Sequence, residues 1–221
     1  MNIAGLTPFS SIDFEGRLSA VVYTQGCNFN CIYCHNYQLI KRKNTPLSLE
    51  SLFEFIKLRK RILDSVVISG GEPTLHKDLP NFCERLKNLG LSVKIDTNGT
   101  SPLMLNLLTS KGLIDYIAMD IKAPFHKYKE IIKTEFPTEI IKTSMEFIKS
   151  SNIPHEFRTT VHSELLSLSD LEEIIQLVGS KHKLYFQIAN PTPLFKVPNR
   201  YTRETLNAFI SKFPDFRLAI R

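Results

Sequence analysis

Three cysteines crowd the stretch TQGCNFNCIYCHN at residues 24–36: Cys27, Cys31 and Cys34. Thiolates ligate soft metals, so the spacing asks which centre takes three of them from one short loop. A structural zinc site wants four ligands, usually as two separated pairs. His35 makes a poor fourth, because Cys34 and His35 are adjacent and cannot easily aim at one ion from a tight loop. An electron-transfer iron–sulfur cubane normally uses four thiolates, one for each iron. Three thiolates can hold three corners of a 4Fe-4S cluster and leave one iron open to an exogenous chelating ligand, much as a catalytic metal keeps a position for substrate.

Such a loop needs a scaffold, and the chain supplies one. Short apolar runs LSAVVYTQ, SVVISGG, LSVKIDTNG, DYIAMDIK, HEFRTTVH and KLYFQIANP read as strands. Between and after them, helical patterns fall at about 48–63, 78–89, 102–111, 138–150, 170–178 and 203–212. Ser101 before Pro102 is a cap followed by a first-turn proline, and Ser169 with Glu172 reads as a capping box. Alternation of this kind implies a parallel sheet. Six repeats fit either an incomplete (β/α)6 barrel or a doubly wound open sheet, and in both the reactive groups sit at the C-terminal strand ends.

The unusual residues collect at those ends. The cysteine loop follows the first run, Gly70-Gly71-Glu72-Pro73 follows SVVIS, and Asp96-Thr97-Asn98-Gly99 follows LSVKI. In YIAMDIK the period of two sets Ile117, Met119 and Ile121 against the helices and turns Asp120 and Lys122 inward. By the same alternation Arg158 and Thr160 share one side, and Gln187 lies opposite Phe186 and Ile188. Inward charge is expensive unless it binds something polar; the alternative is an internal ion pair of Asp120 with Lys122 or Arg158.

Composition bounds the rest. The chain has 221 residues, is 43% hydrophobic and carries a net charge of +6 from 28 basic and 22 acidic residues. It reads as one domain: the cluster loop at 24–36, a core from about 18 to 190, and a C-terminal helix and tail at 191–221. The basic run KLRKRIL lies on a helix whose Leu52, Phe55, Ile56 and Ile62 are expected to face inward, so no nucleic-acid groove is expected. No segment approaches the roughly 18 apolar residues of a membrane helix, and a cytoplasmic, reducing location is expected for cysteines that serve as ligands. Cys83 stands apart in an amphipathic helical pattern and reads as a buried structural thiol.

CxxxCxxC, followed by GGEP on the next strand and DTNG on the one after, resembles the signature of the radical S-adenosylmethionine (SAM) superfamily. Its core is typically an incomplete barrel resembling that of triosephosphate isomerase. Tyr33–Asn36 (YCHN), the earlier FSSIDFEG and the later AMDIKAP resemble activating enzymes of glycyl radical proteins, most of all those of anaerobic ribonucleoside-triphosphate reductase. The resemblance implies an α/β fold with an incomplete (β/α)6 TIM-like barrel. It implies a 4Fe-4S cluster on Cys27, Cys31 and Cys34, SAM chelated to the open iron, and hydrogen abstraction from a glycine of the partner. A flavodoxin or ferredoxin would donate the electron. Gly70, Gly71, Glu72 and Pro73 are expected along the SAM backbone, Asn98 beside them, and Tyr33 against the adenine. Asp96, Thr97 and Asp120 resemble positions that hold a monovalent cation near the SAM carboxylate. Lys122 and Arg158 resemble residues that contact SAM or the incoming glycyl loop. Glu15 stands where relatives commonly carry proline, and Gln187 stands in for a SAM-contacting histidine. The small-molecule alternative is chemistry like that of 7-carboxy-7-deazaguanine synthase.

Overall fold

A computed structural model describes residues 1–41 and 45–221. In chain order the first elements are β1 (Ile3–Ser10), β2 (Ser19–Thr24), α1 (Tyr37–Ile40), α2 (Leu49–Arg59), β3 (Ser65–Gly70), α3 (Leu79–Asn88), β4 (Ser92–Thr97) and α4 (Pro102–Ser110). There follow β5 (Tyr116–Asp120), α5 (Tyr128–Ile132), α6 (Thr138–Ser150), β6 (His155–Val161), α7 (Leu168–Val178), β7 (Lys183–Ile188), α8 (Arg203–Ile210) and β8 (Arg217–Ile220). The eight strands follow chain order in a mostly parallel sheet. The expected α/β class is therefore present, and β2 to β7 are the six strands read from the sequence, each followed by a helix.

The chain forms two compact units. The first holds Met1–Asn28, Asn36–Ile117 and Ile140–Pro154; the second holds Phe29–His35, Ala118–Glu139 and His155–Arg221. In the first unit β2 and β3 run parallel, Ser19 beside Ser65 and Thr24 beside Gly70, and β4 continues from β3 with Ile68 beside Ile95. Val21, Val22, Val66, Val67, Ile68, Val93 and Ile95 are buried, the near-continuous apolar run of parallel strands covered on both faces. In the second unit β6, β7 and β8 run parallel, with Phe157 beside Leu184 and Leu184 beside Leu218.

Two strands lie outside the sequence reading. β1 pairs antiparallel with β2. β8 is short, and the residue after it, Arg221, meets Glu156 of β6 through two hydrogen bonds of 2.8 and 3.1 Å and lies 3.6 Å from the Tyr185 ring. Glu156 is almost fully buried, so this ion pair ties the end of β8 to β6 and β7.

Helix boundaries follow the periodicity closely, with three corrections. The helix expected to run to residue 63 ends at Arg59 and buries Leu52, Phe53 and Ile56; Ile62 is 57% exposed and Phe55 carries the Arg59 guanidinium on its ring at 4.4 Å. The capping box is Ser167 with Asp170, two residues earlier than expected, because Asp170 also takes the Lys127 ammonium at 2.7 Å. Ser101 occupies the cap position before Pro102 without a side-chain cap bond. Among the described residues no helix is long and apolar enough to cross a membrane.

Candidate functional site

In the first unit the strand ends are knitted together by backbone. The Gly71 amide donates to Thr24 O at 2.9 Å and the Glu72 amide to Gly26 O at 2.8 Å, which holds the turn after β3 against the segment leading into Cys27. A Cβ on Gly71 would lie 2.1 Å from Gly26 O, and one on Gly70, at φ +114°, 2.3 Å from Thr24 N. Both glycines are thus required by approach of the neighbouring backbone. Pro73 opens a single 3-10 turn, Pro73–Leu75, in which Glu72 is the cap.

Glu72 is the hub of this unit's strand ends. One carboxylate oxygen accepts from Thr74 N at 3.1 Å, Thr74 Oγ1 at 2.6 Å and Thr97 Oγ1 at 2.8 Å; the other accepts from Asn98 N at 2.6 Å. Burial pushes its carboxyl above the ordinary value, and these donors pull the other way. Asn98 extends the network: its side-chain amide donates to Asn28 Oδ1 at 3.0 Å and lies 3.9 Å from the Cys27 sulfur. His76, which the sequence reading passed over, is buried beneath the same segment and donates from Nε2 to Gln25 O at 3.0 Å. Lys94, also passed over, is a buried lysine two residues before Asp96, with 3.8 Å between ammonium and carboxylate. Its burial runs against the ordinary habit of lysine, and its place on the face of Asp96 was the signal that could have found it.

In the second unit the cysteine segment is pinned to α5. Asn30 N donates to Ile132 O at 2.9 Å, Ile32 N to Ile131 O at 3.1 Å, and Phe29 meets Phe136 edge-on at 5.4 Å. A tight turn follows, with Cys34 N on Cys31 O at 3.0 Å. The internal ion pair weighed from the sequence is formed: Asp120 receives Lys122 Nζ and Arg158 Nε, both at 2.9 Å. Burial acts to raise the Asp120 carboxyl, but Arg158 and Lys122 outweigh it and hold the group at about 2. Burial likewise opposes the charge on Lys122, and Asp120, then Tyr33 and Cys31, outweigh it and raise its pKa. The Lys122 amide donates to Tyr128 Oη at 3.1 Å. The Tyr33 ring is buried, and its hydroxyl has no hydrogen-bond partner among the described residues. Gln187 lies beside Thr160 in the pairing of β6 with β7.

The donor chemistry fits an iron–sulfur cluster. All four cysteines are thiols rather than disulfides. Burial raises the Cys31 thiol, and Lys122 supplies the opposing positive charge that a thiolate ligand needs. The Asn98 amide near the Cys27 sulfur is a donor of the kind that tunes cluster thiolates. Among the described residues, no three His, Cys, Asp or Glu side chains group around one point as a single metal ion requires. A cubane makes no such demand, since each thiolate binds a different iron. The buried Tyr33 hydroxyl and the excess of cations around Asp120 suit a polar, carboxylate-bearing ligand such as SAM.

The sequence profile of the radical SAM superfamily matches residues 21–178. This chain belongs to the radical SAM superfamily and is an enzyme of that type, a membership that implies a 4Fe-4S cluster and SAM. A protein of Methanocaldococcus jannaschii, provisionally named a glycyl-radical enzyme activating enzyme, is 38% identical over 181 residues, which cover 80% of this chain and 75% of that one. A 7-carboxy-7-deazaguanine synthase of Aquifex aeolicus is 38% identical over 96 residues, 42% of this chain and 43% of that one. Among solved structures, Streptococcus suis SuiB bound to its precursor peptide SuiA has a TM-score of 0.71 at 17% identity, covering 91% of this chain and 48% of that one. At that identity the likeness shows the fold, and the chain spans about half the length of SuiB.

Proposed function

We propose that this chain activates a glycyl radical enzyme, and that the partner is an anaerobic ribonucleoside-triphosphate reductase. The supporting observation is the similarity to the Methanocaldococcus relative, which runs over 80% of this chain, where the deazaguanine synthase of Aquifex matches 42%. The resemblance of FSSIDFEG and AMDIKAP to reductase activases carries the choice of partner.

On this reading Cys27, Cys31 and Cys34 hold the cluster. A 4Fe-4S cluster held there would supply the one-electron reduction that divides SAM into methionine and a 5′-deoxyadenosyl group, which would take the hydrogen atom of the glycine α-carbon. The protein's own part is positioning and exclusion of water, not proton transfer. Lys122 and Arg158 stay charged through Asp120 and orient the SAM carboxylate or the arriving glycine loop. Tyr33 offers a ring face for the adenine and a hydroxyl for a polar contact. Gly70, Gly71 and Pro73 fix the backbone along which the methionyl part of SAM lies, and Glu72 sets where Thr97 and Asn98 stand. Gln187 completes the SAM contacts from β7. A flavodoxin or ferredoxin supplies the reducing electron.

Anaerobic reconstitution followed by dithionite is the first test. About four irons per chain and release of 5′-deoxyadenosine are expected. Electron paramagnetic resonance on a mixture with the reductase should then give a glycyl doublet that is lost with Cys31→Ala. Cleavage of SAM without any glycyl signal, accompanied by turnover of a deazapurine precursor, would instead establish the synthase-like reaction that the Aquifex match favours.

A further inference from the structure

Asn98, in the turn after β4, is 5% exposed, and the backbone on both flanks of its side chain is fixed within the first unit. Its own amide is held by Glu72 at 2.6 Å. The carbonyl of the next residue, Gly99, accepts the buried Ser144 hydroxyl of α6 at 2.6 Å, and the Gly99 amide donates to Thr97 Oγ1 at 3.0 Å.

The Asn98 carboxamide also has a defined orientation. Thr100 offers it two donors, its amide at 3.1 Å and its hydroxyl at 2.7 Å, so the carbonyl end faces Thr100. The NH2 end then faces Asn28 Oδ1 at 3.0 Å and the Cys27 sulfur at 3.9 Å, a length that the larger radius of sulfur allows. It carries two hydrogens, one for each acceptor. Turned over, the group would set its oxygen against Asn28 Oδ1 and its NH2 against the Thr100 amide, which can only donate. The fold itself therefore aims a donor at Cys27.

We propose that Asn98 is a positioning residue that acts through Cys27: its carboxamide donates to the ligating thiolate, stabilises the reduced cluster and raises the reduction potential. Reduction adds one electron, taken from the flavodoxin or ferredoxin, and makes or breaks no bond. The added negative charge spreads onto the ligand sulfurs, so a donor to sulfur is worth more after the electron arrives than before. This rests on the reading of Cys27 as a cluster ligand.

The test is a redox titration of the reconstituted holoenzyme without SAM or reductase, followed by electron paramagnetic resonance of the reduced cluster. Asn98→Ser removes the donor to sulfur, and a serine hydroxyl still serves as the local acceptor for Thr100. Its reduction equilibrium constant should lie about threefold to tenfold below wild type, and tenfold is about 59 mV for one electron. A change under about threefold, or a rise in potential, overturns the proposal. Asn98→Asp keeps the shape of the side chain and the acceptor for Thr100 but sets an anionic oxygen beside the sulfur. It should fall at least as far, and it decides by the same limits if Asn98→Ser does not fold. A purely structural fault would lower iron retention and leave the potential of the retained cluster where it was, which also overturns the proposal. Because the titration uses neither SAM nor reductase, a missing glycyl doublet removes the activase reading while the potential still judges Asn98.

Discussion

The backbone amide of Asn98 donates to the Glu72 carboxylate at 2.6 Å, so the turn after β3 fixes the turn after β4. Both Glu72 oxygens face donors, and a neutral isostere should therefore be costly. Whichever way the amide of Glu72→Gln turns, its NH2 group meets another donor. Chemical denaturation of the apo protein should show a loss of about 2 kcal/mol, and a change under about 0.5 kcal/mol would refute the network's role.

The Asp120 triad sets an acid limit. Its carboxyl lies near 2 in the folded chain against an ordinary 3.8, because Arg158 and Lys122 overcome the opposing effect of burial. A depressed folded-state pKa gives stability that is complete above the unfolded value and is lost as pH falls from about 3.8 toward about 2, worth roughly 2 kcal/mol. Urea midpoints measured between about pH 6 and pH 3 should fall more steeply for the wild type than for Asp120→Asn. Near neutrality the variant should itself be weaker by about 3 kcal/mol, having left two cations without their carboxylate. Parallel pH curves would exclude this linkage.

Two glycine substitutions separate steric need from composition. Gly71→Ala drives a methyl group into the Gly26 carbonyl, whereas the same change at Gly5 makes an ordinary 3.7 Å contact with the Tyr23 ring. Thermal melts should show Gly71→Ala destabilised by more than about 2 kcal/mol and Gly5→Ala within about 1 kcal/mol of wild type. Equal effects would mean that the close approach has no energetic weight.

Cysteine replacements divide by role. Cys27→Ala, Cys31→Ala and Cys34→Ala should each lower iron retention after anaerobic reconstitution. Burial pushes the Cys83 thiol up to about 12, so it is inert as a ligand, and Cys83→Ala should keep full iron content at a cost of about 1 kcal/mol for the lost packing. Iron loss in the Cys83 variant would contradict its structural assignment.

Strand and helix periodicity made β2 to β7 and the helices after them legible, because parallel strands are apolar runs and their helices are amphipathic. β1 escaped because IAGLTPFS pairs antiparallel and is only partly buried, so its alternation is weak. β8 escaped because four residues carry little local signal and the Arg221–Glu156 pair that anchors its end is visible only in three dimensions. At α7 two overlapping serine-to-acid patterns compete, and a tertiary contact from Lys127 decides between them. GGEP and DTNG were readable as turns at strand ends. That Glu72 serves Thr97 and Asn98 was not, since side-chain pairing between separate turns leaves no trace in spacing.

The segment preceding Cys27 is clamped from several sides: Gln25 N reaches Asn2 O at 2.9 Å, Gly26 N reaches Leu39 O at 2.7 Å, and Gly26 O receives Glu72. Much of the conformational entropy of placing Cys27, the first of the three proposed cluster ligands, is thus surrendered when the polypeptide folds, with no help from iron. Zinc fingers collapse when chelated because metal and folding are one event. Here the two are uncoupled at Cys27, so demetallation should leave a scaffold ready to be refilled.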